Sequence, residues 1–296
     1  MEIPFLFLVG TLLAVQAAAN VQLSGATGSP FGASTLQLGI GALLLLAATA
    51  VAGSLDAFGG VEEAEAWHLI GGLGSAIYIT SGIVLFPRLG AVLTVGLWIA
   101  GQMLASLALD GFGWLGVDRE PLGVADLLGC LAVLLGAGLI VRAQDGARPA
   151  TPQWIALGLL AGAALPLQGA INSQLRADLD APVAVGALSF VVATAGMGLL
   201  LLVSGAARPR LEPLRAMPWW GWLGGLFGAI YVTSVFSLIP EIGAAATIAL
   251  TVGGQQAASV LVDRYGLLRL PQRRVSALRL GAVGALLTGV VLIQLT

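Results

Sequence analysis

Along the chain, apolar stretches of about twenty residues recur, each closed by a charge, a proline or a turn residue, and a helix of about that length crosses the ~30 Å hydrocarbon core of a bilayer. Ten stretches fit: 3–22, 33–52, 67–86, 90–109, 122–141, 154–173, 183–203, 219–239, 243–262 and 276–295. They predict an all-α polytopic membrane protein with ten transmembrane helices. The first stretch ends in small residues, as a signal peptide does, but it opens with Glu2 and no Lys or Arg. Signal peptides open positively charged, so this segment is expected to be a retained helix.

Composition agrees with the pattern. Hydrophobic residues make up 58% of the 296 and charged residues only 9%, against roughly 25% charged in a soluble domain. Mean hydropathy is +0.96, and the 42 glycines suit helices that pack backbone to backbone in lipid. The net charge is -2 and all 13 bases are Arg. They form no polybasic tail, so nucleic acid is excluded as a partner. One cysteine, Cys130, and one histidine, His68, offer neither a disulfide framework nor a metal-ligand cluster. No cofactor is expected.

The chain repeats itself. Gln16, Asn20, Leu23 and Pro30 recur as Gln168, Asn172, Leu175 and Pro182 at an offset of 152. From 66 to 113 the offset is 153, with 21 identities in 48 positions, among them Gly71/Gly224, Tyr78/Tyr231, Pro87/Pro240, Gln102/Gln255 and Asp110/Asp263. Residues 1–145 form a first five-helix repeat, 146–153 a polar linker and 154–296 a second repeat. Five is odd, so if all ten stretches span, the second copy enters from the opposite side and the repeats are inverted. Of the arginines, 11 fall on one side of this topology and 2, Arg119 and Arg176, on the other. Arginine accumulates in cytoplasmic loops, which predicts that both termini lie outside the cytoplasm in an inner membrane.

These motifs resemble the YdcZ-type family of the drug/metabolite transporter superfamily. The residues that carry the resemblance are Gln16 and Asn20 on the first helix, then Trp67, Gly71, Gly72, Ala76, Ile77, Tyr78, Thr80 and Ser81, then Pro87 and Gly90, then Gly101, Gln102, Ser106, Asp110 and Gly113, with the pattern again from Trp220 to Gly266. The resemblance covers nearly the whole chain. It implies a five-helix unit, used as a pair or fused as here into an internal pseudo-dimer, and an exporter of small solutes. The copies differ where Arg88 faces Glu241 in the alignment.

Polar side chains are costly in lipid and mark function unless they join helices. Gln16 and Asn20 lie four apart on one helix face, as do Gln168 and Asn172. Trp98 and Gln102 share a face, and Gln255, with Gln256 beside it, occupies the equivalent place in the second copy. Tyr78 and Ser81 recur as Tyr231 and Ser234. Inversion would bring these twelve residues around one centre, where amides and aromatics hold an uncharged or zwitterionic solute. Interhelical hydrogen bonding explains the same residues. Asp110 and Asp263 read as helix-end caps, and His68 as a surface residue. Gly129 and Gly136 on the fifth helix, with Gly281, Gly284 and Gly289 on the tenth, predict a close contact between halves. No acid or base falls near the middle of any span, which disfavours a carboxylate-based proton exchange, and the chain lacks a phosphate-binding Gly-x4-Gly-Lys loop. The reading is a secondary transporter, not an enzyme, whose partners are a small-molecule solute and the lipid bilayer. A membrane-embedded enzyme, which needs a positioned base or metal, and a non-transporting scaffold or receptor are the alternatives.

Overall fold

The computed structural model describes residues 2–119, 121–142, 150–206, 209, 211–242 and 244–294, the side chains of 2–3, 211, 235–249 and 293–294 excepted. The helices are α1 (Glu2–Thr27), α2 (Pro30–Val51), α3 (Leu73–Leu89), α4 (Ala91–Phe112), α5 (Val124–Arg142), α6 (Pro152–Leu179), α7 (Pro182–Val203), the single-turn α8 (Leu211–Arg215), α9 (Leu223–Ile242), α10 (Ala244–Tyr265) and α11 (Ala277–Gln294). Tight 310 turns at Ala66–Gly72 and Trp219–Trp222 lead into α3 and α9. Each expected apolar stretch falls, for most of its length, on a long helix. Among the described residues, seven of these helices, α1 to α7, are long and apolar enough to cross a bilayer. Half of the expected linker, residues 146–149, along with Arg208 and Arg210, lies outside the described residues.

Local chemistry sets the helix ends. Ser29 accepts a hydrogen bond from Gly32 N at 3.4 Å and Pro30 follows it; an oxygen-bearing N-cap with proline in the first turn starts a helix. Proline also opens α6 and α7. At the other end, Gly113 (φ +66°) and Gly266 (φ +60°) stop α4 and α10 in the left-handed conformation. That conformation strains any residue with a Cβ, so both copies keep glycine there.

Lipid offers no hydrophobic drive between helices, so close backbone approach and hydrogen bonds hold the bundle. The approaches come in matched pairs. A Cβ on Gly162 (α6) would overlap the Trp98 carbonyl of α4, and one on Gly10 (α1) the Thr251 carbonyl of α10. Likewise Gly101 (α4) lies against the Leu159 carbonyl and Gly254 (α10) against the Phe7 carbonyl. Gly136 (α5) would place a Cβ 2.6 Å from Leu286 N, and Gly289 (α11) 2.6 Å from Val133 N. In each case the second contact is the first with the halves exchanged.

Position in the bundle follows from these contacts. α4 is buried without a break from Ala91 to Met103, between α6, α10 and α5. α5 and α11 pair at the edge, where Leu127, Leu128, Leu131, Leu134 and Leu135 of α5 are exposed, as a lipid-facing surface is. The expected glycine contact there forms through Gly136 and Gly289. Gly281 and Gly284 take no part in it: nothing lies within 4 Å of a Cβ at either, because they point away from α5.

Candidate central site

The polar residues of α1, α3 and α9 meet where the halves join. Two small cavities there share Leu13, Gln16, Tyr78 and Ile79 as walls. The first is completed by Ser75, Leu165, Phe190, Gly228, Tyr231 and Val232, the second by Ala17, Asn20 and Trp98. The larger has a volume of about 20 Å³, room for little more than one water. The described arrangement therefore has no room for an organic solute. No wall residue carries a charge at neutral pH.

Tyr78 stands at the centre of this site. Its ring stacks on Trp98 at 4.2 Å between centroids and 36° between planes, and Phe86 lies behind Trp98 at 5.6 Å. The Trp98 Nε1–H donates to Ser81 Oγ at 3.0 Å, and Ser81 donates to the Tyr78 carbonyl at 2.7 Å, which fixes both rings. Gln255 of α10 donates through Nε2 to the Tyr78 hydroxyl, so a phenol from one half is held by an amide from the other. Tyr231 bonds Thr251, which stands where the first half has Trp98. An aromatic therefore braces one tyrosine and a hydroxyl the other.

The amides fall into two groups. Gln168 accepts from Ser75 Oγ at 2.8 Å, and Asn172 accepts from Ser189 Oγ at 2.7 Å, which are helix-joining bonds. Yet Asn20 Oδ1, Asn172 Nδ2, Gln102 Nε2 and both amide atoms of Gln256 are buried with no hydrogen-bond partner in the protein. A buried polar atom left unpaired costs about 1–3 kcal/mol. Of these residues, Asn20 lines a cavity.

Not every expected residue converges. Gln16, Asn20, Tyr78, Trp98 and Tyr231 are cavity walls, and Gln255, Ser81 and Gln168 bond directly to wall residues. Asn172 sits one turn beyond, against Gly71. Gln102, Ser234 and Gln256 are not cavity walls; Gln256 is fully enclosed. Sequence reasoning passed over Ser75 and Phe190. Ser75 carried a signal, lying three residues before Tyr78 on the same face. Phe190 carried none, because an aromatic in an apolar helix looks like any core residue. Gln37, wholly buried and donating to the Gly224 carbonyl at 3.3 Å, was legible as a lone amide in a span.

Two titratable residues are placed otherwise than expected. His68 is not a surface residue: it is 8% exposed, and its Nδ1 lies 2.6 Å from Asp178 Oδ2 at the end of α6. Its neighbour Trp67 packs edge-on at 4.2 Å. Asp263 is a cap, but of another helix. It accepts from Ala91 N at 2.7 Å and Val92 N at 3.0 Å at the start of α4, and pairs with Arg279 Nη2 at 3.4 Å. Both carboxylate and guanidinium are buried.

Comparison with known proteins bears on this site. The family described as "Putative inner membrane exporter, YdcZ" matches residues 2–139 and again 153–292. The Inner membrane protein YdcZ of Escherichia coli (strain K12) is 26% identical over 143 residues, which is 48% of this chain and 95% of that protein. A solved crystal structure, 21% identical, aligns over 98% of this chain and 96% of its own with a TM-score of 0.59, a likeness of fold alone.

Proposed function

This chain belongs to the YdcZ family of inner-membrane proteins, and from that premise we propose that it is a secondary transporter that exports a small uncharged or zwitterionic organic solute by alternating access at the central cavity. The family is an exporter family, which is not an enzyme class. The observation that carries the proposal is the convergence of Gln16, Ser75 and Tyr78 from one half with Tyr231 from the other around a cavity enclosed by apolar side chains. Such a site fixes a solute through hydrogen bonds and ring contacts without fixing a charge.

The ten-helix, inverted-repeat arrangement is part of this proposal. Reciprocal contacts, in which residue i of one half meets j of the other and the mate of j meets the mate of i, are the mark of a two-fold relation. With five helices per half, that two-fold lies in the membrane plane, and it gives two equivalent sets of helices that can open in turn. In this proposal the Asp263 end, on the arginine-rich side, faces the cytoplasm and the His68 end faces out. The cavity, too small for an organic solute in the described state, opens to one side when one set of contacts parts.

A panel of uncharged and zwitterionic solutes, screened by thermal stabilisation of the purified protein, tests this reading. A solute that raises Tm of the parent should be moved by it in proteoliposomes, and Gln255→Leu should lose both effects while folding normally. If Gln255→Leu lowers Tm but moves the solute at the parental rate, the amide joins helices and is not part of the site.

A further inference from the structure

Between the cavity and the His68 end, the segment from Ala66 into α3 runs antiparallel to the last turns of α6, and three contacts close the seam. Nearest the cavity, Ser75 Oγ donates to Gln168 Oε1 at 2.8 Å. Next, a Cβ on Gly71 would overlap Asn172 Oδ1. Outermost, His68 Nδ1 meets Asp178 Oδ2 at 2.6 Å. The other half has the matching seam between α9 and α1. Gly228 lies 2.8 Å, measured from a built Cβ, from Gln16 Nε2, and Gly224 lies against Asn20 Oδ1. At the outermost place, however, the equivalents of His68 and Asp178 are Gly221 and Ala26. One seam therefore ends in an imidazole–carboxylate pair and its mate in two residues with nothing to titrate.

We propose that the His68–Asp178 pair is a proton-operated latch on the external seam alone, so that acid outside the cell holds the outward opening shut. This regulation rests on the alternating-access reading above. Imidazole changes charge between about pH 5 and 8. Protonated, His68 forms an ion pair with Asp178 across the seam; neutral, its Nδ1–H donates to the carboxylate without the attraction of opposite charges. The charged groups around the pair are Arg176 and Asp178 on α6, Asp180 just beyond it, Asp56 and Glu62 on the 310 turn Leu55–Glu62 packed on α6, and Glu65 at the start of the segment itself, where Glu65 accepts from Trp67 Nε1 at 2.6 Å. α7, packed on the same segment, carries no ionisable residue. Asp178 is partly exposed, with 30% of its side chain accessible, which gives solvent protons a route to the pair.

The test uses the full chain with Cys130→Ala and a single cysteine in place of the cavity wall Ile79. Right-side-out membrane vesicles are treated with a membrane-impermeant quaternary-ammonium thiosulfonate, and the rate of modification is compared with that in the same chain carrying His68→Gln. Thiol ionisation changes with pH equally in both, so their ratio isolates the latch. At about pH 8 the two rates should agree; at about pH 5.5 the chain with His68 should react about threefold more slowly, the effect of a partly exposed ion pair. Asp178→Asn should erase the difference in the same way and serves if His68→Gln does not fold. A rate ratio that stays constant with pH would overturn the latch and leave the transport reading standing. No modification from outside in any variant at either pH would overturn both.

Discussion

Ser75 against Gln168 and Gly228 against Gln16 are the same place in the two halves, and so are Arg279 and Asp126 at the starts of α11 and α5. The backbone contacts are conserved between these places and the chemistry is not. At the Asp263 end, a buried carboxylate caps α4 and is locked by Arg279, which ties α4, α10 and α11 together. At the opposite end the mate of Arg279 is Asp126, which turns back to accept from Gly123 N at 2.7 Å at the start of its own helix. Charge thus bolts one end firmly through a buried ion pair, and the other through the partly exposed His68–Asp178 pair. Glycine-to-carbonyl packing specifies a symmetric fold, and a few side chains make its two exits unequal.

The largest test of that difference is at the bolted end. Asp263→Ala removes two helix-capping acceptors and the carboxylate paired with Arg279, and should cost about 3–5 kcal/mol, the scale for breaking a buried ion pair. Loss should be read as Tm in detergent. Asp126→Ala, at the mate of Arg279, should cost less, on the scale of a lost cap, about 1 kcal/mol. Equal losses would erase the contrast.

Where the halves match, paired substitutions should match too. Gly101→Ala and Gly254→Ala each drive a Cβ into a facing carbonyl, and overpacking of this kind costs about 1–3 kcal/mol. The two should lower Tm by similar amounts; a large effect at one position alone would show that the reciprocal contacts are not equivalent.

A smaller effect belongs to the centre. Tyr78→Phe keeps the ring stacked on Trp98 but removes the hydroxyl that Gln255 holds, and should cost about 1 kcal/mol of stability. Tyr231→Phe should cost about the same through Thr251. Transport should suffer more from Tyr78→Phe, because Tyr78 borders both cavities and Tyr231 only one.

The helices were legible because bilayer length and apolar runs leave little choice, and the repeat was legible because Gly72/Gly225 and Gly101/Gly254 are positions where only glycine lets backbones touch. The site was legible in part. Gln16, Tyr78 and Trp98 stood out as polar or large residues in mid-span, and helical spacing put them on shared faces. Gln102 and Gln255 looked alike in sequence, yet only Gln255 reaches a tyrosine of the other half, since Trp98 and Thr251, one turn away from them, fill different volumes. His68 was misplaced for a related reason: its partner Asp178 is 110 residues away in sequence, and no local pattern reports a long-range pair. Gly281 and Gly284 have the spacing of a contact stripe, but spacing alone does not say which face of α11 meets α5.

The central claim is that a solute moves because the two seams part in turn. Cysteines in place of His68 and Asp178, joined by a short bis-thiosulfonate cross-linker, would lock one seam, and cysteines in place of Gly221 and Ala26 the other, each pair in a Cys130→Ala chain that leaves the cavity walls intact. Efflux of the stabilising solute from proteoliposomes should stop when either pair is cross-linked and return on reduction. Undiminished efflux with one seam locked would contradict the account.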